Sequence, residues 1–242
     1  FLKMETLAPL EKGFLAERHH ISPVLASTGL PAGAAVSNDE DISVMINEED
    51  HLRLQCLHSG FDIEKTFCSA LKLDEALGAR LPYSFGEKFG FLTACPTNAG
   101  TGVRISCLAH LPAMTRLGRM PAALETLSRL GVMARGIYGE GTCVLGDFYQ
   151  ISNAACLGRS EEEFCRNMDT VIRNLIRQEI GAREQLLKGH ARLRTEDAVF
   201  RAQGVLRHAR SISYSEFMQN MSLTRMGAAM GSSPSAHEMP PW

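Results

Sequence analysis

The stretch ISVMINEEDHLRLQC, residues 42–56, limits the fold more than any other. ISVMINEED alternates around apolar residues, and in HLRLQCL Leu52, Leu54 and Cys56 alternate with Arg53 and Gln55. Successive side chains on a strand point to opposite faces, so both runs read as strands with one face buried. The connections between several of the strands are short, which makes mostly antiparallel neighbours the expectation. Three acids in a row, Glu48, Glu49 and Asp50, follow the apolar run and are costly to bury together.

The rest of the chain alternates between the two periods. GAAVS (33–37) reads as a further short strand. The opening METLAPLEKGFLAERHH spaces Leu7, Leu10, Phe14 and Leu15 as a helix does, and the chain starts inside that pattern. Residues 62–80 predict a helix with Asp62 as N-cap and a stripe of Phe67, Leu71 and Leu77. FGFLTACPTN and GVRISCLAHLP read as two strand-like runs joined by a glycine loop. PAALETLSRLG predicts a helix that ends at Gly131, and VMARGIYGEGTCVLGDFYQISN a strand, a glycine-rich loop and a strand. A long helix is expected over 160–189, opened by a Ser160–Glu163 capping box, with two more at about 195–207 and 214–225. The fold class is therefore α+β, a mostly antiparallel sheet flanked by helices. Residues 1–226 are expected to form one domain, and 227–242, rich in Gly, Ser and Pro, a disordered tail.

Charge and cysteine usage exclude several classes. The net charge of −2 carries no basic excess, against general binding to nucleic acid or membrane surfaces. No run of 18 apolar residues is present to span a membrane. The seven cysteines form no Cys-x-x-Cys pair, which argues against a structural zinc site. Free thiols in a reducing cytosol fit them best.

Three segments concentrate polar groups that an ordinary core has no use for. In Asn47-Glu48-Glu49-Asp50-His51-Leu52-Arg53 the acids form either a solvated turn or a carboxylate base beside a phosphate-binding arginine. In CPTNAGTGVR, Cys95 is either a small packing residue or a thiol whose pKa the neighbouring Arg104 lowers. Asn98, Gly100, Thr101 and Gly102 can offer donors to a ligand there. RGIYGEGT brings Arg135 and Glu140 within one glycine-rich loop, which is a hairpin turn or a mobile part of a site. Arg53, Arg104 and Arg135 supply planar forks that bind phosphate in bidentate fashion. No Walker Gly-x₄-Gly-Lys-Ser/Thr and no His-Arg-Asp kinase loop occurs.

Together INEEDHLRLQC, LTACPTNAGTGVRIS and RGIYGEGTCVLGDFYQISN resemble the ATP:guanidino phosphotransferases, the family of creatine and arginine kinases. YGEGT, FYQISN and HLPAM resemble its bacterial protein-arginine kinase branch. The resemblance implies a glutamine synthetase-like catalytic domain. It implies that Glu49 and Glu140 clamp a guanidinium with Glu49 as base, and that Cys95 as thiolate touches the same group. Arg53, Arg104 and Arg135 would hold the phosphates of ATP with Mg²⁺, no residue ligating the metal directly. Asn47, Glu48, Asp50 and Asn98 would support them. It further implies protein substrates with exposed arginines, a cytoplasmic stress-response role feeding a Clp ATPase, a zinc-containing activator protein and a homodimer. The resemblance also implies an opening Ser-Ser-Arg-x-Arg segment and a longer C-terminal part, so the chain is expected to be a piece truncated at both ends. Two other functions remain open at this stage: a phosphagen kinase for free arginine or another small guanidine, and a non-catalytic binding fragment.

Overall fold

The computed structural model describes residues 1–137 and 144–231. They form two compact units, Phe1–Ile105 with Asn153–Asp169, and Ser106–Ser152 with the chain from Thr170 onward.

Unit 1 is built on a four-stranded sheet in the order β1 (Leu2–Lys3), β2 (Gly33–Val36), β3 (Ile42–Ile46), β4 (Leu52–Cys56). Every pair in it is antiparallel, and β3 meets β4 in the register Ile46↔Leu52 to Ile42↔Cys56. The expected pairing of the two alternating runs is thus found. A core of Met4, Ile21, Leu25, Ala34 and Met45 packs on this sheet and on α1 (Pro9–Glu17) and α2 (Pro23–Ser27). The opening stripe divides: Leu7 and Leu15 pack on that core, whereas Leu10 and Phe14 are exposed. α3 (Ile63–Gly78) packs on β4, and Asp62 accepts the Lys65 N–H at 2.9 Å as its N-cap.

The segment FGFLTACPTN departs from its strand expectation. Only Gly90–Phe91 (β6) is strand, paired with Phe85–Gly86 (β5). Beyond it the backbone turns, because Pro96 has no N–H for a ladder and opens a 3₁₀ turn over Pro96–Asn98.

Unit 2 holds a three-stranded sheet of β7 (Ser106–His110), β8 (Val132–Arg135) and β9 (Phe148–Asn153), ordered β7-β9-β8. β7 and β9 are antiparallel, and Asn153, the last residue of β9, belongs to unit 1. A short helix that the sequence pattern does not place, α4 (Pro112–Arg116), is followed by the four that it predicts: α5 (Met120–Arg129), α6 (Glu161–Leu186), α7 (Gly189–His208) and α8 (Tyr214–Ala229). The capping box of α6 is present in both directions. Ser160 N–H donates to Glu163 Oε2 at 2.9 Å, and Glu163 N–H to Ser160 Oγ at 3.3 Å. α7 and α8 pack so closely that a Cβ on Gly227 would meet Val199 Cγ1 at 2.3 Å. The helix α8 continues through Ala229 into the segment that composition assigns to a tail, and 232–242 lie outside the described residues.

In this unit a buried polar row crosses from sheet to helix. His110 Nε2 meets the fully buried Ser222 Oγ at 2.9 Å, and Ser222 donates to Asp147 Oδ2 at 2.7 Å. Ser222 has one proton, and Asp147 takes it, so His110 is the donor to Ser222 and carries its hydrogen on Nε2. His110 also stacks on Phe148, with Arg225 above that ring. Burial first, then the Arg225 and Arg183 charges, push the imidazole down to about 3. Above pH 6.5 the ring is neutral folded and unfolded alike. From pH 6.5 down to about 3 only the unfolded chain takes the proton, so stability falls with falling pH. His110→Gln should therefore flatten the acid limb of a stability–pH curve. On the order of 2 kcal/mol of the loss between pH 7.5 and 5 should disappear. Urea titrations at both pH values measure this, and an unchanged slope refutes it.

Candidate active site

The five residues Asn47–His51 that join β3 to β4 carry the acidic cluster. Asn47 turns the chain with a left-handed φ of 55°, which asparagine tolerates better than most residues. Its N–H donates to the His51 carbonyl at 3.0 Å and its side chain to the Pro31 carbonyl at 3.1 Å. The turn is thereby closed on itself and tied to the body.

The three acids then divide by burial. Glu48 points inward, its side chain 5% exposed, and accepts from Ser22 Oγ at 2.5 Å, from the Glu49 N–H at 3.0 Å and from Arg53 Nη1 at 3.3 Å. Ser22 is at the same time the N-cap of α2, accepting from the Leu25 N–H. Glu48 is thus a buried acid that orients Arg53, an exposed side chain on β4 opposite Met45. Asp50 reaches across to the loop after β6: Oδ1 accepts the Ala94 N–H at 2.6 Å and Oδ2 accepts from Asn98 Nδ2 at 3.0 Å. Glu49 stays exposed at the tip, accepting from the same Asn98 amide at 3.2 Å.

Asn98 therefore staples the acidic turn to the cysteine loop. Cys95 caps the 3₁₀ turn that ends at Asn98, its carbonyl accepting the Asn98 N–H at 3.0 Å and the Thr93 hydroxyl at 2.6 Å. Its Sγ lies 3.0 Å from Thr97 Oγ1. Glu49, Asp50, Asn98 and Cys95 share one rim of unit 1, although 45 positions separate Asp50 from Cys95 in the chain.

The segment that carries Arg104 is held in the same unit by a different set of contacts. Gly100, at φ 113°, lies against the Cys156 backbone so tightly that a Cβ would come within 2.3 Å of its carbonyl oxygen. The Thr101 N–H and hydroxyl both donate to that carbonyl, at 3.0 and 3.1 Å. Burial pushes the Cys156 thiol up, with the Arg104 charge and the Asn153 amide acting the other way. Cys156 is a packing cysteine, donating to the Val103 carbonyl at 3.2 Å.

Arg135 closes β8 in unit 2, half-buried, with Nη2 3.4 Å from the Met133 sulfur. Glu140, expected as the second carboxylate, lies outside the described residues, as does Cys143. Among the described residues no group of three or more His, Cys, Asp and Glu could hold a metal ion. The oxygens of Glu48 and Asp50 are committed to protein donors, so a divalent cation here would be held chiefly by the phosphates it accompanies. Sequence reasoning missed Ser22, Asn153 and Glu179, each an ordinary polar residue in a helix or strand pattern until its partners are known.

Unit 1 thus carries an acidic turn stapled to a cysteine loop, with Arg53 on the adjoining strand. A model of the ATP:guanido phosphotransferase C-terminal catalytic domain matches residues 1–182, and the chain belongs to that family. A model of the protein-arginine kinase McsB C-terminal domain matches residues 192–239. Among curated relatives, the protein-arginine kinase of Caldanaerobacter subterraneus subsp. tengcongensis is 44% identical over 229 residues, 95% of this chain and 68% of the relative. That of Halalkalibacterium halodurans is 44% identical over 95% of this chain and 64% of the relative. That of Geobacillus stearothermophilus is 42% identical over 95% and 63%. The chain thus spans about two thirds of the length of these proteins or slightly less. Among solved structures, a lombricine kinase aligns with a TM-score of 0.60 at 26% identity, over 77% of this chain and 53% of that one. The duplicated taurocyamine kinase of Schistosoma mansoni with bound transition-state analogue components has the same fold, with a TM-score of 0.66 at 20% identity over 88% and 34%. No helix of the described residues is long and apolar enough to cross a membrane.

Proposed function

We propose that the chain is the catalytic part of a protein-arginine kinase, which moves the γ-phosphoryl group of ATP to arginine side chains of proteins. The observation that carries this is the Asn98 staple, which seats an exposed carboxylate, Glu49, on the rim that holds Cys95. A guanidinium nitrogen is a poor nucleophile, because its lone pair is delocalised and its charge is permanent. Glu49 orients the guanidinium and accepts its proton as the new N–P bond forms. The bond from the γ-phosphorus to the bridging oxygen breaks in line, and ADP leaves. Cys95 and Glu140 also contact the guanidinium in this scheme. Arg53, Arg104 and Arg135 hold the nucleotide phosphates and the charge that spreads over the transferring oxygens. Glu48 and Asp50 fit supporting parts, one aiming Arg53 and the other locking the loop. Mg²⁺ bound with ATP supplies further neutralisation of the phosphates.

Under this reading the protein acts in the cytoplasm during stress, with marked proteins passing to a Clp protease, beside a zinc-containing activator and as a homodimer. The solved neighbours titled lombricine kinase and taurocyamine kinase favour a second reading, a kinase for a small guanidine. The 42–44% identity to protein-arginine kinases favours protein. Incubation with radiolabelled ATP and either casein or free arginine separates the two. Acid-labile label on casein is expected. Label on free arginine alone moves the assignment to the second reading, and label on neither moves it to a non-catalytic binding fragment.

A further inference from the structure

Asn153 is 2% exposed, at the end of β9, and every polar atom of its side chain is used. Its Oδ1 accepts the Ile105 N–H at 2.7 Å. Its Nδ2 donates to the Val103 carbonyl at 3.0 Å and to the Ala155 carbonyl at 2.9 Å. Its own backbone N–H reaches the Ile105 carbonyl at 3.3 Å. Val103 and Ile105 are the two neighbours of Arg104 in the chain. One side-chain amide therefore holds backbone groups on both sides of the arginine. The segment before them contains two left-handed glycines, Gly100 at φ 113° and Gly102 at φ 67°, and is anchored at Gly100 and Thr101, so Asn153 adds the hold nearest the arginine. Packing of Cys156 against the same Val103 carbonyl closes the clamp.

From this geometry we infer that Asn153 is the positioning residue for Arg104, setting the direction in which its guanidinium leaves the backbone. The inference rests on the reading of Arg104 as a phosphate grip. A fork that binds phosphate in bidentate fashion tolerates little angular error. An amide clamped at both flanking peptides limits that error without touching the ligand. An alanine at 153 would remove the amide from the Val103 carbonyl and leave the Ile105 N–H without its acceptor, loosening the backbone on both sides of Arg104.

A double-mutant cycle on ATP binding to the 242-residue chain tests this. Arg104→Ala alone should raise the Kd for ATP by about 10–100-fold, the range of a charged hydrogen-bonded contact. Asn153→Ala should raise it about tenfold when Arg104 is present, and less than twofold when Arg104→Ala is already made. Asn153→Ser, which keeps a hydroxyl for the Ile105 N–H, should fall between and serves if the alanine variant does not fold. Equal effects of Asn153→Ala with and without Arg104 overturn the positioning assignment, since a general packing defect adds to Arg104→Ala. Unchanged ATP affinity in Arg104→Ala, or no ATP binding by the native chain, overturns instead the reading of Arg104 itself.

Discussion

Glu49→Gln should lower kcat by about 10²–10⁴-fold, the range over which a positioned acid–base group acts. The carboxylate has two duties in the proposed chemistry, accepting a proton and balancing a permanent positive charge, and a neutral amide performs neither. The same change should leave folding stability within about 0.5 kcal/mol, because Glu49 is exposed and its one described side-chain bond is to Asn98. Steady-state kinetics on arginine phosphorylation, with a thermal melt beside them, provide the check. Full activity in Glu49→Gln ends the assignment of Glu49 as base. A loss of activity matched by a large loss of stability would point to the turn rather than the chemistry.

The largest expected effect on stability lies at Glu179. The helix α4 begins at Leu111-Pro112 with no side-chain cap of its own. Pro112 has no N–H, so the first orphan donors belong to Ala113 and Met114. Glu179 of α6, 3% exposed, accepts both, at 3.2 and 3.0 Å. Arg183, one turn further along α6, donates to the same carboxylate at 2.7 Å. Glu179→Ala strands two buried N–H groups and leaves a mostly covered arginine without that carboxylate. The expected cost is about 3–5 kcal/mol, the range for breaking a buried pair. That corresponds to a fall in Tm of roughly 10 °C for a chain of this size. Glu179→Gln, which retains one acceptor oxygen, should cost about half as much. Denaturant unfolding of the three forms would measure it, and a cost below about 1 kcal/mol for the alanine variant would show that α4 is capped from elsewhere.

Much of the local structure was legible in advance. The alternation in ISVMINEED and HLRLQCL named two strands, short connections gave the antiparallel sense, Asp62 and Ser160 marked helix starts, and Gly131 followed the end of α5. These signals are carried by neighbours in the chain, through side-chain alternation and through caps that reach three residues. The strand expected through FGFLTACPTN was not found beyond Phe91, because local bonds around Pro96 replaced the ladder. Apolar spacing in the first helix did not distinguish the buried Leu15 side from the exposed Leu10 and Phe14.

By itself the sequence determined which chemistry was on offer: carboxylates in a row, a thiol before proline, three arginines and glycine-rich loops. Their residue types and spacing are enough for that, since pKa range, charge and planarity belong to the side chain alone. Only the tertiary structure decided which acid faces inward and which faces out. Glu48, Glu49 and Asp50 are adjacent and nearly alike in sequence, yet one orients Arg53, one stays at the rim and one locks a loop. Asn98, Asn153 and Glu179 acquire their parts only through partners 48 to 66 residues away. Such bonds have no local signature, because each is made between groups that the chain brings together only after its strands and helices have packed.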